Sequence, residues 1–272
     1  MDTVGTLLRH WRKHRRMSQQ ALAEDAEIST RHLSCLETGR ARPSQEMVLV
    51  LASALDVPLR DRNTLLLAAG FAPAYRETDL SSPALRPVRT AIEHLLRGAE
   101  PYGAVVMDRR WDLVQANRPF AAMAGLVLGR PLRTGENMFE LTLRRDAFGH
   151  AIPHFEEVAR GMLLRLHREA VTSGDEELFA LVERLEAIEG VPADWRRDAL
   201  IAEHPVAMTV DLRLGEQRLS LFTTLTTLGT PTDVTASELR IEHYFPADEA
   251  TELAMRAFAG SLGQVEQATA DG

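Results

Sequence analysis

Between Ser18 and Gly39 the apolar positions fall into two short amphipathic runs with a tight break between them. Ser18 stands where a helix N-cap belongs, ahead of Gln19 to Ala23, and the run ends near Ala26. Ser29 caps a second run, Thr30 to Thr38, and Gly39 supplies the left-handed residue that ends it. Leu22, Leu33 and Leu36, with Ile28 in the turn, close a small core between the two helices. That packing turns Thr30, Arg31, His32 and Ser34 outward. A further helix, capped by Ser44, runs through Leu55 on a face of Met47, Val48, Leu51, Ala52 and Leu55. Asp56 to Pro58 interrupt it, and Arg60 to Ala69 forms another helix, ended by Gly70. Residues 71–87 hold three prolines and no period, which predicts a linker.

Beyond the linker the pattern changes. Val88, Ile92, Leu95 and Leu96 recur at helical spacing from Leu85 to Arg97. Gly103–Asp108 and Trp111–Ala116 are short apolar runs around Arg109 and Arg110, a hairpin signal. Asn117 then caps a helix from Arg118 to Gly125. Helices follow over 138–145, 153–173, 175–188 and 192–201. Three strands close the domain, at 205–214, 217–228 and 237–245. In the last, Leu239, Ile241, His243 and Phe245 alternate with Glu238, Arg240, Glu242 and Tyr244, which places the first set on the inner face. An added helix is expected over 248–258, with residues 264–272 frayed.

Charge sharpens this division. The chain is −8 overall, yet residues 1–42 hold eight basic side chains against five acidic ones. A +3 head therefore precedes a −11 body, as expected where phosphate contact is confined to one end. The expected DNA contacts are Thr30, Arg31, His32 and Ser34 at base edges, with Arg40, Arg42 and Gln19 at phosphates or, for Gln19, a base. Arg12 pairing with Glu37 would explain an acid on a helix that faces a polyanion. The lone cysteine, Cys35, excludes an intramolecular disulfide. No apolar run reaches the ~20 residues that cross a bilayer, and the start lacks the apolar centre of a signal peptide. A cytoplasmic protein is expected. No G-x-S-x-G, H-E-x-x-H, P-loop or G-x-G-x-x-G motif is present, so no enzyme and no metal site are expected. His150 and His154 have ligand spacing, but Pro153 breaks the helix that would align them.

SQQALA (18–23) and STRHLSCLETGRARPS (29–44) resemble the helix-turn-helix domain of lambda-type and Xre-type regulators. Two strands, helices, then three strands resemble the order of a PAS domain. RRWDLVQAN (109–117), HFEEVARGMLLRLH (154–167) and TTLTTLG (223–229) extend the likeness to the MmyB-like regulators, which join these two parts. The resemblance implies an all-α lambda-repressor-like bundle over residues 1–70. After the linker it implies an α+β PAS-like domain with a five-stranded antiparallel sheet over 88–248, then a C-terminal helix and tail over 249–272.

The resemblance also implies a transcription regulator that binds a double-stranded DNA operator, with no resident cofactor. Its second domain would sense a small apolar molecule, fatty acid-like in type. Expected lining residues are Met107, Phe120, Met123, Phe139, Met162, Leu166, Val210, Leu221 and Ile241, each of which also suits an ordinary core. A polar head would be met by Asn117, Asn137, Arg144 or His204, and the sequence does not choose among them. A protein-recruiting module, or haem held by His204 or His243, is the alternative for this domain. A homodimer would set two recognition helices one DNA turn, ~34–36 Å, apart.

Overall fold

A computed structural model describes residues 3–198 and 209–270. The chain divides into a unit of residues 1–82 with 230–237, and a unit of residues 83–229 with 238–272.

The first unit begins with α1 (Val4–His14), α2 (Gln19–Asp25), α3 (Thr30–Glu37), α4 (Gln45–Ala54) and α5 (Leu59–Ala68). Four hydroxyl caps set the helix starts. Thr3, Ser18, Ser29 and Ser44 each accept a hydrogen bond from the backbone N–H three residues on. Leu8, Leu22, Leu33, Leu36, Leu51 and Leu65 form the buried centre, and Ile28 packs against it as expected. Gly5 permits the close approach of α1 to α3, since a Cβ there would lie 2.4 Å from the Leu36 carbonyl oxygen.

The expected linker is partly built into this unit. Asn63 accepts from the N–H groups of Ala74 and Tyr75 and donates to the Tyr75 carbonyl. The Val234 N–H donates to the Arg76 carbonyl at 2.8 Å. No local period could show this, because the second partner lies far along the chain.

The second unit carries α6 (Arg86–Gly98), strands β1 (Gly103–Met107) and β2 (Leu113–Ala116), α7 (Arg118–Leu128) and α8 (Met138–Leu143). Next come α9 (Phe155–Ser173), α10 (Glu176–Glu186), α11 (Trp195–Asp198), β3 (Thr209–Leu214) and β4 (Gln217–Thr227). The β4–β5 connection holds α12 (Val234–Glu238), followed by β5 (Arg240–Pro246) and α13 (Glu249–Ala270). Among the described residues the five strands form one antiparallel sheet, in the order β2-β1-β5-β4-β3. This is the PAS-like α+β arrangement with an enlarged helical flank.

Three boundaries differ from the sequence expectation. Helix α7 continues past Gly125 and ends where Gly129 takes φ +63°. Ser237 and Glu238 belong to α12, so β5 starts at Arg240. Helix α13 passes through the segment expected to fray. Part of the helix expected over 192–201, and the start of the strand expected from Pro205, lie outside the described residues.

Candidate functional site

The first candidate surface is the outer face of α3. Thr30, Arg31 and His32 are exposed there and Ser34 is half-buried. Arg40 and Arg42 are exposed just after Gly39, whose φ of +73° ends the helix. Ser29, itself exposed, caps the start of α3 by accepting from the His32 N–H at 3.1 Å.

The inner face is anchored by charge. Arg12 donates to both Glu37 oxygens, at 2.6 and 2.9 Å, and to the Met17 carbonyl at 2.9 Å. Burial by itself would raise the Glu37 carboxyl. The hydrogen bonds from Arg12 and Gln19, with the charge of Arg12, outweigh it and hold the carboxyl below its usual range. Gln19 has a partner inside the domain that the sequence did not indicate. Its amide donates to Glu37 at 2.8 Å, and it serves the core pair. Spacing alone could not reveal this, since an exposed helix start and a buried acid meet only in three dimensions.

The second candidate site is a cavity of about 140 Å³ in the sensor unit. From the sheet it is lined by Met107, Val210, Leu212, Leu221, Thr223, Glu242 and Tyr244. Phe120 and Met123 of α7, Met138, Phe139 and Thr142 of α8, and Met162 and Arg165 of α9 close it, with Trp111, Phe148 and Ile152 between elements. Seven residues expected to line the site do so: Met107, Phe120, Met123, Phe139, Met162, Val210 and Leu221. A second cavity of about 160 Å³ shares Phe120 and Met123 as walls.

Five others are placed elsewhere. Leu166 is fully buried in the core and does not line the cavity. Ile241 is fully buried on the opposite face of β5, paired with Val106. The amide of Asn117 caps α7 and ties β1 to α6: it accepts from Ala104 and Phe120 N–H and donates to the Leu96 and Tyr102 carbonyls. Asn137 caps α8 and donates to the Arg110 carbonyl and to Asp112. Arg144, exposed, pairs with Asp146. His204 lies outside the described residues. His243 shares the face of Ile241, turned from the cavity, where burial lowers its imidazole pKa.

The parity of β5 is thus the reverse of the one expected. Glu242 and Tyr244 face the cavity, on the same side as Met107 and Gly103 of β1. The rule that apolar residues face inward fails because both faces of β1 and β5 are covered, one by α6 and the other by the helical flank. Sequence reasoning consequently missed the polar end of the cavity. Arg165 Nη1 approaches Glu242 Oε1 at 3.4 Å, and the Tyr244 hydroxyl donates to Glu242 Oε2 at 3.0 Å. Burial, reinforced by the Glu242 charge, pushes the Tyr244 hydroxyl well above the ordinary phenol value. The one available signal for Arg165 was its place three residues after Met162.

Trp111 forms the adjoining wall. Its backbone takes φ +67°, uncommon for a bulky residue and the kind of strain that clusters at binding sites. Guanidinium groups flank its ring, Arg165 at 4.5 Å and Arg240 at 4.6 Å. Its indole N–H donates to Glu169 at 3.2 Å, and Arg240 also pairs with Glu169. Burial raises the Glu169 carboxyl and lowers the Arg240 guanidinium, each partly offset by the other's charge.

A helix-turn-helix head with a basic outer face, joined to an α+β domain with a largely apolar cavity, defines a DNA-binding regulator with a ligand-binding domain. A helix-turn-helix domain model matches residues 3–65, and the MmyB-like transcription regulator ligand binding domain matches residues 88–258. The chain belongs to this MmyB-like family. No curated protein matches it. Similar solved structures include an RsLOV variant, at 16% identity and TM-score 0.29, covering 63% of this chain and 84% of that one. An RNA-binding light-oxygen-voltage receptor matches at 16% identity and TM-score 0.29, over 99% of this chain and 65% of its own length.

Proposed function

We propose that this chain is a one-component transcription regulator. Its sensor cavity takes a small apolar molecule, fatty acid-like in its chain, that modulates how α3 reads an operator. Two chains associate and present two α3 helices to successive major grooves. The ligand acts by favouring one of two placements of the heads, which requires a differential affinity of about 1–3 kcal/mol.

The observation that carries this reading is the connection between β4 and β5. These strands place Leu221, Thr223, Glu242 and Tyr244 on the cavity, and residues 230–237 between them belong to the helix-turn-helix unit. A shift of the strand pair on filling the cavity is therefore transmitted covalently to that unit at both ends of the connection.

Size supports a ring or short chain in the first cavity, since an apolar cavity of ~150 Å³ takes up benzene. Movement of the Met123 thioether and the Phe120 ring would join the two cavities and admit a longer chain. Each buried methylene would contribute about 0.8 kcal/mol. The test is to extract purified protein with organic solvent, identify what leaves by mass spectrometry, and compare operator binding before and after adding it back. The reading expects a co-purified apolar molecule that changes operator affinity at least fivefold. Identical binding by loaded and extracted protein would contradict it.

A further inference from the structure

We infer that Asn63 is a positioning residue for regulation: it fastens the receiving end of the β4–β5 connection to α5, and a change at the cavity enters the helix-turn-helix unit there. This rests on the one-component reading above and names the side chain through which the coupling passes.

Three side chains near the start of α5 hold residues 74–77, a stretch with no period of its own. Asn63, half-buried, accepts from the N–H groups of Ala74 and Tyr75, each at 3.0 Å, and donates to the Tyr75 carbonyl at 2.7 Å. Arg62 meets the Tyr75 hydroxyl at 3.3 Å and lies 5.9 Å from its ring centre. Arg60 pairs with Glu77 through hydrogen bonds of 2.9 and 2.6 Å. Ion pairs between partly exposed side chains hold weakly. Asn63 instead bonds the backbone at three points, so it sets the path of the chain into Arg76. Without it that stretch would sample many conformations.

Arg76 carries the second fastening. It forms a parallel bridge with Asp233, and its carbonyl accepts from the Val234 N–H at 2.8 Å. Val234, 1% exposed, begins α12, and the Asp233 carboxylate accepts from the Ala236 N–H at 3.3 Å. Leu239 alone separates α12 from β5. At the start of β5, Arg240 lies 4.6 Å from the centre of the Trp111 ring and donates to the Arg109 carbonyl at 2.8 Å. Arg109 approaches Glu238, the last residue of α12, at 3.9 Å. Trp111 lines the cavity. Coupling between distant sites is carried by groups in unbroken contact, and here the contacts run from Trp111 through Arg240, α12 and Arg76 to Asn63. Beyond it, α5 packs on α1, and α1 packs on α3. A displacement of the Trp111 ring therefore reaches α5 where Asn63 holds the chain, and is absorbed by a loose stretch where it does not.

The test measures how the full chain binds a duplex that it selects from genomic fragments, with and without decanoate. Asn63→Ala removes three hydrogen bonds at once. Val234→Pro removes the donor to Arg76 at the first position of α12, where a helix tolerates proline, and serves should the first variant not fold. Decanoate should change the duplex affinity of the unaltered chain by about fivefold or more, and that of each variant by under about twofold. Calorimetry should find decanoate bound by the variants as by the unaltered chain. Reciprocity then requires that duplex no longer alters their decanoate affinity. A residue that only adds stability would leave this ratio untouched. Amide exchange checks the lesion, since Ala74 and Tyr75 should exchange about tenfold faster in Asn63→Ala. Full coupling in that variant, or amides that stay protected, would overturn the inference while leaving the regulator reading in place. So would coupling lost together with decanoate binding, which would place the effect in the sensor unit. An unaltered chain whose duplex affinity ignores decanoate would contradict the fatty acid-like reading, and this inference with it.

Discussion

Replacing Arg12 by Met removes the guanidinium while keeping most of the apolar stem. The side chain of Arg12 is 10% exposed and that of Glu37 is fully buried, so the pair is a desolvated one. Three hydrogen bonds vanish, two to Glu37 and one to the Met17 carbonyl. Glu37 retains Gln19 at 2.8 Å and the half-exposed Arg9 at 3.9 Å, which soften the loss. Breaking one side of a buried pair costs about 3–5 kcal/mol, and the retained partners place this case at the lower end. In a domain of this size each kcal/mol moves the melting midpoint by about 4–8 °C, so a fall of about 12–24 °C is expected. Calorimetry of the full chain, with amide exchange assigning the transition of α1 to α5, measures it. The double variant Arg12→Met, Glu37→Leu should recover most of the loss, because no charge then remains buried. A single variant that loses under about 1 kcal/mol, or a double variant no better than the single, would refute the assignment of Glu37 as a buried charge held by Arg12.

Other substitutions address the two surfaces. Arg31→Ala and Ser34→Ala should weaken binding to the operator more than to random duplex, whereas Arg40→Ala should weaken both alike and reduce the log–log salt slope by about 0.9. Equal losses from all three in a mobility-shift assay would contradict that sorting. Leu221→Trp fills the cavity and should leave a soluble protein whose DNA binding no longer responds to ligand; an unchanged response would show that Leu221 does not form the site. Because the folded Glu37 carboxyl titrates below its usual range, its contribution is present above the ordinary glutamate pKa of about 4.3 and is lost as pH falls through the folded value. The α1–α5 transition should therefore drop more steeply below pH ~4 in the unaltered chain than in the Arg12, Glu37 double variant, and parallel acid profiles would contradict this.

Most of the helix-turn-helix head was legible because its signals are local. Serine caps, a left-handed glycine and leucines at helical spacing each act within one turn of chain. The strands of the sensor were legible along the chain for the same reason, through period-two runs, while their assembly into one five-stranded sheet followed from the resemblance to a PAS domain. What escaped depends on partners distant in sequence. Gln19 bonds Glu37, residues 230–237 join a unit formed mainly by residues 1–82, and Asn117 fills its four bonding positions within the scaffold. The face of β5 was misread because alternation tells which residues share a side and not which side encloses the cavity. A sheet covered on both sides puts Ile241 in one buried layer and Glu242 in the other.

The central claim is that residues 30–34 of α3 read base sequence. Selection of genomic duplex fragments by the full chain at ~100 mM salt tests it most directly, a range where phosphate contacts by themselves give only weak, unselective binding. The account predicts enrichment of fragments with two similar half-sites ~10 bp apart, and loss of that enrichment in Arg31→Ala. Bound fragments distributed as the input would contradict it.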